Sequence, residues 1–149
     1  GIAGYIASDG LHGSRHMAEQ LKASGMHTKI DAMVLMDMVG DPDLQFTIPA
    51  NSSRELVRLA LEAARKLGYR DHFTLLLDTV ITDDHVPFLN IPVPAINLID
   101  FRFGSAPGLN DYWHTPADNL GHISADSLRI TGQVVLKMLD RLAFAQDAP

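Results

Sequence analysis

The chain has 149 residues, 46% of them hydrophobic and 20% charged, enough to enclose one hydrophobic core. Its formal net charge of -6 and its dispersed Lys and Arg argue against binding through phosphate neutralisation, so nucleic acid is not expected as a partner. Cysteine is absent, so disulfides, thiolate metal sites and a cysteine nucleophile are excluded, and a bound metal must use His, Asp or Glu.

Residues 1–13 are rich in Gly, Ala and Ser without periodicity and read as a loop or an incomplete leading element. A helix is expected over 14–24, with Met17, Ala18 and Leu21 at helical spacing and Gly25 as its stop. The nearly continuous apolar run over 30–36 suits a strand buried on both faces, ending at Asp37 before a turn at Gly40, Asp41 and Pro42. A second short strand is expected over 44–48. Asn51, Ser52 and Ser53 then offer N-caps to a helix carrying Leu56, Leu59, Ala60, Ala63 and Leu67, which Gly68 stops.

Further strands are expected over 73–77 and 94–99, with one or two helical turns over 84–89 between them. Ser124 is placed to cap a last helix through Leu128, Val134, Val135, Met138, Leu139 and Leu142. Helices alternating with short apolar strands predict an α/β sandwich with a partly parallel sheet, whose ligands gather beyond the carboxyl ends of the strands. Asp37, Asp78 and Asp100 end or follow apolar runs, so one rim is expected to carry all three. No run of about 18 apolar residues is present to cross a bilayer, so no membrane segment is expected.

Each candidate site residue also has a plain structural reading. Asp37 is either a turn-former or a carboxylate that ligates a metal or holds a shared proton. Asp83-Asp84-His85 is either an acidic helix start or a pair in which one carboxylate meets substrate and the other orients a neighbour. His114, beside the only tryptophan, Trp113, is either a surface histidine or a metal ligand whose tautomer is set by Asp118 or a carbonyl. His12, His16, His27, His72 and His122 are expected to be solvated.

Five stretches taken together resemble a known family. They are Gly13-Ser14-Arg15-His16-Met17-Ala18, Met33-Val34-Leu35-Met36-Asp37-Met38-Val39-Gly40, Thr82-Asp83-Asp84-His85-Val86-Pro87-Phe88-Leu89, the run from Ile91 to Asp100, and Tyr112-Trp113-His114-Thr115-Pro116. In order and spacing the chain is similar to the zinc-dependent exopeptidases that include bacterial leucyl aminopeptidases and glutaminyl cyclases. The resemblance implies a three-layer α/β/α sandwich around a mixed, partly parallel sheet, with residues 1–149 forming the C-terminal part of one domain, incomplete on its N-terminal side.

The resemblance also implies one or two zinc ions, with His114 as a ligand. Asp37 is similar to the acid that ligates a second zinc in the aminopeptidases and joins a carboxylate network in the cyclases. Asp84 resembles the cyclase acid near the substrate, and Trp113 would wall the pocket. Peptide or protein N-termini are the implied substrates and an extracytoplasmic location the implied setting.

The family also carries an early His, a metal-binding Asp and an adjacent Glu-Glu pair. None is here, since Glu19, Glu55 and Glu62 are all separate, so the chain alone is expected to bind zinc weakly and turn nothing over. An aminopeptidase is the first expectation for the parent protein, a glutaminyl-peptide cyclotransferase the second, and a non-catalytic interaction domain of the same fold the third.

Overall fold

The computed structural model describes residues 9–146, with side chains described through Leu142. Its elements run α1 (His12–Ala23), β1 (Met33–Asp37), β2 (Phe46–Pro49), α2 (Arg54–Leu67), β3 (Phe73–Leu76), α3 (Val86–Leu89), β4 (Ala95–Ile99) and α4 (Ala125–Gln146). Each expected element is present, with ends shifted by no more than three residues. The leading loop falls mostly outside the described residues.

The helix ends follow their local chemistry. Gly68 adopts φ 78°, a left-handed conformation that costs glycine little, and Tyr69 N donates to Ala64 O at 2.7 Å to close the end of α2. Ser124 caps α4, its Oγ accepting from Ser127 N at 3.3 Å. Ser52 and Ser53 serve otherwise than expected. Their hydroxyls accept from Asn97 N at 3.2 Å and Ala95 N at 2.9 Å, which ties the start of α2 to β4 instead of capping the helix.

β1 pairs with β4 in parallel, Asp37 opposite Ile99, and β2 pairs with β3 in parallel. Between these pairs, Gln45 N donates to Asp100 Oδ2 at 2.7 Å and Thr47 Oγ1 to Ile99 O at 3.1 Å, while Ser53 N donates to Ala95 O at 2.8 Å. Numbers rise along β2 as they fall along β4, so the two parallel pairs, β1-β4 and β2-β3, lie side by side with β4 and β2 antiparallel and joined mainly through side chains.

Side chains alternate across a strand. Ile96 and Leu98 of β4 pack with α2 and α4 through Leu56, Ala60, Val134 and Met138, while Ala95 packs with Ala18 of α1 and Phe88 of α3. Helices thus cover both faces of the sheet, giving an α/β/α arrangement. β1 departs from the expected burial: it is bonded to β4 along one edge and, among the described residues, to no strand along the other. Its side chains are half-buried, and Met36 is 49% exposed.

Candidate active site in the cleft beyond β1 and β4

β1 ends at Asp37 and β4 at Ile99, side by side in the parallel register. Beyond them opens a cleft of about 360 Å³ lined by Asp37, Asp83 and His114 and walled by Leu11, Val80, Ile81, Ile99, Phe101 and Trp113. Such a position follows from the parallel pair, whose strand ends leave a crevice between the outgoing loops. A second cavity, of about 310 Å³ beside Arg102, Tyr112 and His122, holds none of the expected site residues.

The Asp37 carboxyl is pushed up to about 6, first by burial, then by the charge of Asp83 and a hydrogen bond with its carboxyl group. Asp83 is itself held from two sides: its Oδ1 accepts from Asp84 N at 2.8 Å and its Oδ2 from Asn97 Nδ2 at 2.8 Å. Asp84 points elsewhere, accepting from Ser14 Oγ at 2.6 Å, and so ties the first turn of α1 to the loop before α3. Next in sequence, His85 is fully buried and burial pushes its imidazole down, towards the neutral form.

Trp113 and His114 stack with ring centroids 4.0 Å apart, and Phe101 leans on Trp113 at 6.1 Å. Leu11, Met38 and His114 are the non-glycine residues with positive φ among the described residues, at 60°, 54° and 56°. Two of them line the cleft and the third follows Asp37. Left-handed backbone at such side chains costs of order 1–3 kcal/mol each, and strain of this kind collects where surrounding structure holds a site in place.

The structure brings three of the four expected site residues, Asp37, Trp113 and His114, to one cleft and turns Asp84 towards α1. It adds Asp83, which the sequence did not separate from its neighbour, and Asn97, whose signal was a lone carboxamide inside the apolar run of β4. The expected three-acid rim does not form. Asp78 is exposed beyond β3, and Asp100 is fully buried, where its carboxylate accepts from Gln45 N and from Arg102 N at 3.0 Å. His72 and His122 are half-buried rather than solvated, their Nδ1 atoms bonding to Leu44 O at 2.9 Å and Ala117 O at 2.7 Å.

A catalytic zinc keeps three protein ligands and one open position. Among the described residues no three His, Asp or Glu side chains gather closely enough to hold a metal ion, although Asp37 and His114 share the cleft. The described residues alone therefore do not make up a complete three-ligand zinc site.

The family model of peptidase family M28 matches residues 8–139. The chain belongs to this family. Within M28, a glutaminyl-peptide cyclotransferase of Drosophila melanogaster is 30% identical over 144 residues, covering 82% of this chain and 39% of that protein. The solved structure of an Acidobacteriales bacterium glutaminyl cyclase is 36% identical with a TM-score of 0.85, covering 95% of this chain and 48% of its own. A leucine aminopeptidase precursor of Bacteroides thetaiotaomicron is 26% identical with a TM-score of 0.75, covering 91% of this chain and 46% of its own. The chain thus spans about a third to a half of the length of the relatives it matches.

Proposed function

We propose that the whole protein is a glutaminyl-peptide cyclotransferase acting on peptides or proteins with an N-terminal glutamine. The observation that carries the reading is that Asp37 and Asp83 line one apolar-walled cleft, with Asp83 held at both carboxyl oxygens by Asn97 and the Asp84 amide. In this reaction the α-amine attacks the side-chain carboxamide carbon, a ring C–N bond forms, the amide C–N bond breaks and ammonia leaves. The attacking nitrogen must lose a proton and the leaving nitrogen must gain one.

A carboxyl pair with one member titrating near 6 suits that exchange, because general acid–base groups work best with a pKa close to the operating pH. Asp83 is held in place by Asn97 and the Asp84 amide beside Asp37, whose raised carboxyl takes up and gives back the proton. Phe101, Trp113, Leu11 and Ile99 offer the aliphatic stem of glutamine an apolar wall and keep water from competing with the amine. The cyclase names of the Drosophila and Acidobacteriales relatives support the same reading. Zinc belongs to the proposal, with His114 as the ligand from this chain. Unchanged zinc content of the whole protein after His114→Ala, by elemental analysis, would remove that assignment.

A second reading is a zinc aminopeptidase, favoured by the likeness to the Bacteroides aminopeptidase precursor. The two reactions leave different products. An N-terminal glutamine peptide and an aminoacyl chromogenic substrate, each offered to the whole protein, decide between them: a cyclised peptide supports the cyclase, and release of the first residue without cyclisation supports the peptidase.

A further inference from the structure

The geometry points to the groove between α1 and α3 as the subsite for the residues that follow the N-terminal glutamine, with a preference for an acidic side chain among them; the inference rests on the cyclase reading given above. The groove encloses about 330 Å³. Leu11 and Thr82 line both it and the cleft that holds Asp37 and Asp83, so the two spaces meet at this pair. A peptide whose first residue lies in the cleft can continue past them without leaving the surface of the protein.

The groove is built into the packing of the two helices. Ala18 of α1 is buried in one cluster with Phe88 and Ile91, and its single methyl group fills little of the space between α1 and α3. At the end that meets the cleft, the bond from Ser14 Oγ to Asp84 at 2.6 Å ties the first turn of α1 to the loop carrying Thr82, which fixes the width of the opening. One rim presents the exposed Thr82 hydroxyl and Asn90 carboxamide, groups able to bond a passing backbone. The other rim is charged. Arg15, Glu19 and Lys22 are four and three residues apart on one face of α1, and they are the charged residues of the lining, which is therefore net positive. Arg15 stands about 6 Å along the helix from Leu11, at about 1.5 Å per residue. An extended peptide covers that distance in about two residues, so the third residue of the substrate comes beside Arg15.

The test offers the whole protein two N-terminal glutamine peptides that differ only in carrying glutamate or lysine as the third residue. At low salt kcat/KM for the glutamate peptide should exceed that for the lysine peptide about three- to tenfold, the scale of an attraction exchanged for a repulsion between exposed charges, with the difference in KM. It should shrink at about 0.5 M salt, where such charges are screened. Glu19→Lys, at an exposed position, should widen the ratio, and Arg15→Gln should bring it towards one; Tm follows the folding of both, and Glu19→Lys carries the test where Arg15→Gln does not fold. Equal kcat/KM for the two peptides in the wild type, or a ratio that Glu19→Lys leaves unmoved, overturns the inference. The Asn90 side-chain amide signal in NMR supplies a readout independent of turnover. It should shift when the glutamate peptide is added, and a signal that stays in place overturns the inference even where cyclisation is confirmed. A wild-type protein that cyclises neither peptide instead removes the cyclase reading, and the amide signal then decides whether the groove takes the peptide.

Discussion

Asp37 and Asp83 both line the cleft beyond β1 and β4, and burial first, then the neighbouring Asp83 carboxyl, push the Asp37 carboxyl up to about 6. The two residues come from separate parts of the chain, one from a strand end and the other from the loop before α3. The parallel pairing of β1 with β4 brings them together, since Asp37 ends β1 while Asn97 of β4 reaches Asp83.

Replacing Asp83 should lower the titration of Asp37 without restoring it fully. Burial is the first cause of the upward shift, and the charge and hydrogen bond of Asp83 come next. In Asp83→Asn the Asp37 midpoint, followed by carboxyl NMR, should fall below about 6 yet stay above the ordinary value of 3.8. An unmoved midpoint would show that the pair does not interact.

Asp100 should make stability fall as pH rises. Burial pushes its carboxyl up to about 6 from 3.8, so the folded chain holds its proton more tightly than the unfolded chain. This contribution is fully present below about 4 and is lost as pH climbs through about 6. Glu62 and Asp111, both held below the usual range by hydrogen bonds, act in the opposite sense at more acid pH. A Tm series from pH 4 to pH 7 should show a steeper decline in the wild type than in Asp100→Asn, and equal slopes would exclude this role.

Gly104 should tolerate no side chain. A Cβ there would lie 2.8 Å from the Leu109 carbonyl oxygen and 2.5 Å from Asp111 Oδ1, and the first of these is backbone with little room to give. Gly104→Ala should displace the loop that Ser105 and Asp111 close, their hydroxyl and carboxylate bonded at 2.6 Å, and with it the segment leading to Trp113. Because Trp113 is the only tryptophan, intrinsic fluorescence reads the change directly. An emission spectrum identical to the wild type would show that the loop absorbs the methyl group without moving the site.

Much of the fold was legible because its signals are local. Gly25 and Gly68 end helices through left-handed backbone, at φ 73° and 78°, Ser124 caps α4, and the apolar runs became β1 and β4. The antiparallel seam was less legible, since Thr47, Ser52, Ser53 and Asp100 bridge it with side chains whose spacing in sequence carries no period. At the site, motif order pointed to Asp37, Asp84, Trp113 and His114, and Asp37, Trp113 and His114 share the cleft. Asp84 lies elsewhere because adjacent residues in a turn point in different directions, Asp84 to Ser14 of α1 and Asp83 to Asn97 of β4. Asp100 looked like a rim acid, and its burial depends on backbone amides of Gln45 and Arg102 that only the folded seam presents.

The rate of cyclisation of an N-terminal glutamine peptide by Asp83→Asn and Asp84→Asn, measured side by side in the whole protein, tests the site most directly. Asp83→Asn should lose about 10²- to 10⁴-fold in kcat, the usual worth of a positioned acid or base. Asp84→Asn keeps an oxygen that accepts from Ser14 Oγ and loses only the charge behind that bond, less than the about 1.5–3 kcal/mol of a hydrogen bond to a charged group, so Tm should fall slightly and kcat be nearly kept. The opposite order, with Asp84→Asn inactive and Asp83→Asn active, would contradict the assignment of Asp83 as the partner of Asp37.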